Sequence, residues 1–331
     1  MSERGVILRT QWTSRSTRDD AAPGRRGMSR QAGSGADRWF ANTVRAAGWL
    51  IVVALAGVLV FLGVQGLPAV HASSADLDGA GSLVAYLWPL LYGTVLAAVL
   101  ALLVAVPLSL GTALVSSHYA PRRLAAPLGH LVDLLAAVPS VVYGLWGIAW
   151  LGPRLVQPYG WLESQLGWLP SFAGPASTTG RTIFTAALVL AIMVLPIVTA
   201  LAREVFALTP RPLQEAALAL GATRWEMLRM AVFPHARSGI VSGIMLGLGR
   251  ALGETMAVAM VLSATGVVSV DLISSTNPST IAADIALKFP EATGLKVNAL
   301  IAGGLTLFAI TFAVNALARG LLHRAGAQEG R

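Results

Sequence analysis

The sequence predicts an all-α integral membrane protein with six transmembrane helices, and three observations carry that reading. Charged residues make up only 12% of the chain and apolar ones 55%, where a soluble domain has about 25% and 45–50%. Six stretches are long and apolar enough to cross a bilayer, which takes about 20 residues. The basic residues alternate between the segments that join those stretches.

The stretches are residues 46–64, 88–115, 124–151, 182–202, 238–262 and 297–318. The second and third exceed one bilayer thickness, which predicts tilt or a cytoplasmic extension. Residues 1–45 are rich in Ser, Arg, Gly and Asp without an apolar period, and read as a disordered basic tail. A charged lead of that length is too long for a cleaved signal peptide, so the first stretch reads as an uncleaved anchor. The first helix and its external loop then occupy 46–87, a transmembrane core 88–322 and a short tail 323–331.

Of 24 Lys and Arg residues, 19 fall in the first tail, 116–123, 203–237 and the C-terminus from 319. Four fall in the alternate segments, and one, Arg250, lies inside the fifth stretch. Basic loops stay on the cytoplasmic side, so both termini are expected there. The net charge of +8 is thereby a topological signal that needs no nucleic-acid partner.

Several chemistries are excluded. The chain has no cysteine, hence no disulfide, thiolate zinc site or Cys nucleophile. His71, His118, His130, His235 and His323 are scattered without a His-Glu-x-x-His pattern, so no metal site is read. A Walker A loop needs Gly-Lys-Ser/Thr, but Lys288 precedes Phe289 and Lys296 precedes Val297. ATP hydrolysis is therefore expected on another chain, and no catalytic residues are assigned.

The external segments read as surface structure. Residues 152–181 carry Trp161 and Trp168 with Pro158, Pro170 and Pro175; indoles there suit the headgroup boundary better than an aromatic ligand site. In 263–296, Asn277-Pro278-Ser279-Thr280 reads as a turn and a helix start, and the segment suits an ordered lid or docking surface.

The most informative cytoplasmic stretch is 203–237. Pro210 and Pro212 fit the first turn of a helix. Leu213, Ala216, Ala217 and Leu220 recur at i, i+3, i+4 and i+7, an apolar helical stripe. Gly221 suits the left-handed residue that ends it. Thr223 and Glu226 form a capping box for a second helix, which Pro234 is expected to stop before span five. The product is a short helix–Gly–helix hairpin.

Glu215, Ala216, Ala217 and Gly221, with Pro234 thirteen residues further on, resemble the EAA motif of the membrane subunits of binding-protein-dependent ABC importers. The chain departs from the pattern at Ala231, where the family has Ile, and at Phe233, where it has Leu. Both changes keep the helix apolar. The resemblance implies the type I ABC importer (MetI-like) permease fold. It also implies that the hairpin docks in a groove of a cytoplasmic ATPase, Glu215 offering a charge and Gly221 permitting the turn.

The fifth stretch places Gly239, Gly243, Gly247, Arg250 and Glu254 on one narrow helical face. Glycines four apart allow close helix packing. A lone mid-bilayer charge costs at least about 2.5–3.5 kcal/mol, so both charges must face protein or water. At i, i+4 they can pair. Two readings stand: an internal salt bridge that fixes packing, or a charged element lining a translocation path. Asp133, in span three, either reaches interfacial water or pairs with a buried Arg.

The run Leu134-Leu-Ala-Ala-Val-Pro139-Ser-Val-Val-Tyr143-Gly144-Leu-Trp146 is similar to the permeases of phosphate importers. So are Leu195-Pro196 and Gly249-Arg250-Ala-Leu-Gly-Glu254-Thr255-Met256-Ala. The Glu-Thr-Met-Ala-Val run and Asn277-Pro-Ser-Thr-Ile favour the PstC type over the PstA type. The similarity covers residues 46–322 and leaves the Arg-rich tail aside. It implies inorganic phosphate as cargo and a cytoplasmic (inner) membrane location. Arg250 and Glu254 would line the pathway. The implied partners are a second permease (PstA-like), a homodimeric ATPase (PstB-like) that binds the ATP and Mg, and an external phosphate-binding protein (PstS-like). One hairpin per chain against two ATPase grooves also requires a second membrane subunit. The alternatives are a permease for molybdate, sulfate or phosphonate, and a secondary carrier. A carrier would show inverted halves with broken helices, and no such halves are seen.

Overall fold

The computed structural model describes residues 35–327. The first 34 residues of the expected tail, and 328–331 of the C-terminal one, lie outside the described residues. The chain divides into two units, residues 1–56 and 57–331. Within the first, the described part is the leading portion of helix α1 (Gly35–Gly66). This helix begins ahead of residue 46, where the first span was expected, because no Gly or Pro interrupts residues 36–47.

The second unit continues with α2 (Leu83–Leu114), α3 (Arg122–Ala137), α4 (Ser140–Trp146), α5 (Gly152–Leu166) and α6 (Ile183–Ala207). It goes on with α7 (Arg211–Ala219), α8 (Arg224–Met227), α9 (Phe233–Gly253), α10 (Met256–Val261), α11 (Ile281–Lys288) and α12 (Leu295–Ala327). Caps set several starts: the Ser82 hydroxyl accepts the Ala85 N–H at 3.2 Å and that of Thr182 accepts the Thr185 N–H at 3.1 Å. Among the described residues the only β structure is two isolated bridges, Ala176 to Ser274 and Ala264 to Asn277.

The core sits where α2 lies against α6. Ala97, Ala98, Ala101 and Ala105 of α2 meet Ala186, Val189, Leu190, Val194 and Val198 of α6. Small residues on α2 let the two backbones approach, which is how helices associate where lipid removes the hydrophobic driving force. Helix α9 also packs on α6, through its glycines. An added Cβ at Gly247 would lie 2.7 Å from Val194 Cγ1, and one at Gly243 3.2 Å from Leu201 Cβ. At Gly239 it would overlap Val205.

The six expected spans are not six unbroken helices. Four helical stretches are individually long and apolar enough to cross a membrane: Trp39–His71, Leu83–Tyr119, Ile183–Ala207 and Leu295–Gly320. The third expected span, 124–151, bends by 92° between Ala137 and Ser140. Val138 precedes Pro139, is driven out of helical geometry to φ −68°, ψ 129°, and Pro139 has no N–H to continue the ladder. The fifth expected span, 238–262, breaks at Glu254 and Thr255 between α9 and α10. Gly249 and Gly253 weaken the helix just ahead of that break.

The two breaks are neighbours. An added Cβ at Gly144 in α4 would lie 3.0 Å from both Ala257 Cα and Met260 Sδ of α10. The Tyr143 hydroxyl donates to the Leu135 carbonyl at 2.7 Å, which satisfies one of the acceptors that the bend leaves open.

Candidate coupling and translocation sites

The hairpin is built by local rules. Pro210 precedes α7 and Pro212 sits in its first turn. At its end Gly221 has φ +88°. Ala222 N–H donates to Ala217 O at 3.2 Å and Gly221 N–H to Leu218 O at 3.0 Å, the two bonds of a Schellman cap. Thr223 then starts α8: its N–H donates to Glu226 Oε2 at 2.8 Å, and Glu226 N–H donates to its hydroxyl at 3.3 Å. The Thr223 amide and hydroxyl hold the Glu226 carboxyl below its usual pKa. Pro234 does not stop the second helix as expected. A π-helical turn over Leu228–Val232 carries α8 straight into α9, and the looser turn accommodates the missing proline N–H.

The apolar stripe of the hairpin divides. Ala217 faces inward and, with Met227, Leu228, Val232 and Ala236, packs around Phe206 and Ala113. Glu215, Ala216 and Gly221 are exposed, as are Leu213, Leu218, Trp225 and Met230, and Leu220 is 90% exposed. A groove of about 480 Å³ runs between the two arms, lined by Leu213, Leu220, Met230, Ala231, Pro234 and His235. Clustered exposed apolar side chains on a basic segment mark an interaction surface.

Arg250 lies near the end of α9, and its Nε is buried without a hydrogen-bond partner. Glu254 is no longer helical, with φ −69° and ψ 126°. Its Oε1 accepts the Ala257 N–H at 3.3 Å, at the start of α10. Among the described residues neither forms an ion pair, so the direct i, i+4 pairing expected of a continuous helix is corrected. The reason is the break, which takes Glu254 off the α9 face that carries Arg250, Gly247, Gly243 and Gly239. Arg250 instead lines a cavity of about 580 Å³ with Ser242 and with Asn315 and Arg319 of α12. Sequence reading missed Asn315 and Arg319; their spacing of four on one helix was the available signal. Asp133 lies 3.8 Å from Arg203, the side chains 58% and 32% exposed, so this pair is half in solvent. Gly129 leaves the room that the Arg203 guanidinium fills.

Two further arrangements lie in the segments that join the spans; sequence reading gave Asn277 as a turn residue but neither set of partners. Asn277 is fully buried. Its Oδ1 accepts the Ile183 N–H at 3.0 Å, and its Nδ2 donates to the carbonyl of Ser274 at 3.1 Å, tying the 263–280 loop to the head of α6. Lys288 bonds Asp78 at 2.6 Å and Asp284 at 2.5 Å. Tyr86 donates to the other oxygen of Asp284. The Asp284–Lys288 spacing of four was visible in the sequence; the contribution of Asp78, from a distant loop, was not. Among the described residues no group of His, Cys, Asp and Glu is placed to hold a metal ion.

Comparison with known proteins places these features in a family. Residues 105–326 match the family described as binding-protein-dependent transport system inner membrane component. The phosphate transport system permease protein PstC 2 of Mycobacterium tuberculosis is 44% identical over 315 residues, covering 91% of this chain and 94% of that one. PstC of Mesorhizobium japonicum is 40% identical, covering 89% and 92%. PstC of Mycobacterium leprae is 43% identical, covering 79% and 85%. The chain is thus an all-α, multi-pass permease subunit of the ABC importer type, not an enzyme, and it belongs to the PstC family of phosphate transport system permeases.

Proposed function

We propose that this chain, as one of two permease subunits, carries inorganic phosphate inward by alternating access driven by a separate ATPase. The observation that carries the reading is the 44% identity to a phosphate permease across 91% of the chain, with the exposed, doubly capped hairpin beside it. Both termini lie in the cytoplasm, as the distribution of Lys and Arg requires. The hairpin, with Glu215, Ala216 and Gly221 exposed and Ala217 seating it on the bundle, docks on the ATPase. Two copies of that ATPase, PstB-like, hold the ATP and Mg. A PstA-like permease supplies the second hairpin and a PstS-like protein delivers phosphate outside. Breaks at Pro139 and Glu254 resemble those of secondary carriers; the family match and the hairpin favour the ATP-driven reading.

Arg250 serves as the pathway cation. A guanidinium offers five donors in a rigid fork that suits a tetrahedral oxyanion. Because Glu254 caps α10, it does not neutralise Arg250 by direct contact. Uptake by the reconstituted four-component complex tests the reading, with phosphate, sulfate and molybdate compared. Phosphate uptake that requires ATP supports it; equal or better transport of sulfate or molybdate overturns it.

A further inference from the structure

We propose that Arg319, with Asn315, forms a second oxyanion station on the cytoplasmic side of Arg250, from which the transported anion is released. This rests on the permease reading above. The cavity of about 580 Å³ that Arg250 lines is shared by Ser242 of α9 and by Asn315 and Arg319 of α12. Its polar lining is therefore two guanidinium groups, an amide and a hydroxyl, with no carboxylate. Among the described residues neither Arg forms an ion pair. The buried Nε of Arg250 has no acceptor, and an unmet buried donor is destabilising. An anion bound there supplies the missing acceptor.

Helix direction orders the two arginines. In the proposed topology α9 leaves the cytoplasmic hairpin and runs outward, whereas α12 runs inward to the C-terminus. Arg250 sits in the last turn of α9 (Phe233–Gly253), away from the hairpin, and Arg319 in the last third of α12 (Leu295–Ala327), so Arg319 lies nearer the cytoplasm. Arg319 is also exposed while Arg250 is half-buried. Water screens an exposed pair, so Arg319 holds the anion more weakly than Arg250 does. A half-buried site followed by an exposed one of the same sign lets an anion leave without a single tight well; conduction needs multi-site binding of that kind.

The test is uptake by proteoliposomes carrying the complete complex, with external phosphate delivered by its binding protein and defined phosphate inside. Arg319→Gln should lower the maximal rate roughly fivefold, the scale of a solvent-facing ion pair. It should leave the external KM unchanged and weaken inhibition by internal phosphate to a similar degree. Arg319→Lys should restore most of both. Asn315→Asp, which puts a carboxylate in the cavity, should reproduce the loss. It provides the same readings where Arg319→Gln assembles poorly, as judged by ATPase co-purification. Wild-type rates with wild-type internal inhibition in both variants would overturn the station. So would a lowered rate with unchanged internal inhibition, which marks a packing role. If wild type carries sulfate or molybdate and not phosphate, the phosphate reading falls alone; the same measurements on the transported anion still decide the role of Arg319.

Discussion

Arg250 and Glu254 stand four residues apart, yet Glu254 accepts the Ala257 N–H at 3.3 Å while Arg250 keeps its Nε buried and unpartnered. The arginine is thus positioned by packing and left open to an anion. Arg250→Gln should leave the complex assembled and lower phosphate uptake about tenfold or more, the scale of a lost hydrogen bond to a charged group. Arg250→Lys should retain part of the rate. Uptake kinetics alongside ATPase co-purification checks this; unchanged kinetics would reduce Arg250 to packing.

Glu254 makes the complementary prediction. If its carboxylate acts at the start of α10, a neutral acceptor should replace it. Glu254→Gln should match wild type in thermal stability of the detergent-solubilised protein, while Glu254→Ala should lose about 1 kcal/mol, as other N-terminal caps do. A large loss in Glu254→Gln would show instead that the charge itself is needed.

Gly221 is required by its backbone and not by crowding. Its φ is +88° and no atom lies within 4 Å of where a Cβ would be. Gly221→Val should therefore cost about 1–2 kcal/mol in the hairpin and weaken ATPase co-purification, with the spans intact. Gly221→Asn should be milder, because Asn tolerates the left-handed region. Equal losses for both would point to a steric clash with the ATPase.

The α9 glycines carry their own control. A Cβ at Gly239 overlaps Val205, whereas at Gly249 it meets nothing. Gly239→Ala should destabilise by about 1–3 kcal/mol through overpacking. Gly249→Ala should be neutral or stabilising by up to about 1 kcal/mol, from helix propensity. Thermal melts of the two single variants suffice, and equal melts would contradict the α6–α9 contact.

Local chemistry made the hairpin legible: prolines at a helix start, a glycine at φ +88° and the Thr223–Glu226 box all follow from neighbouring residues. The glycine spacing on α9 was legible for the same reason, since a helical face is a property of one segment. The breaks at Pro139 and Glu254 were read through, because hydropathy averages over a proline or a carboxylate flanked by apolar residues. The salt bridge between Arg250 and Glu254, one of the two readings left open, was kept alive by that averaging. Asn277 acts through Ile183, 94 residues away, and Asp78 through Lys288, 210 residues away, distances that no periodicity reports.

Lys288 supplies the pH test. Burial disfavours its ammonium, but the bonds to Asp284 and Asp78 outweigh that and raise its pKa above the ordinary lysine value. A raised folded-state pKa gives a contribution that is complete below the unfolded value of about 10.4 and is lost as pH rises through the folded one. Melting of the purified protein should be level on this account from about pH 6 to 9 and decline only above about 10.5. Lys288→Met leaves Asp284, whose side chain is 6% exposed, with its charge uncompensated. The loss should fall at the low end of about 3–5 kcal/mol, because Lys288 itself is 40% exposed. Adding Asp284→Asn to Lys288→Met should recover part of it, since the uncompensated charge is then gone. A double variant no more stable than Lys288→Met would show that Lys288 contributes packing and not charge.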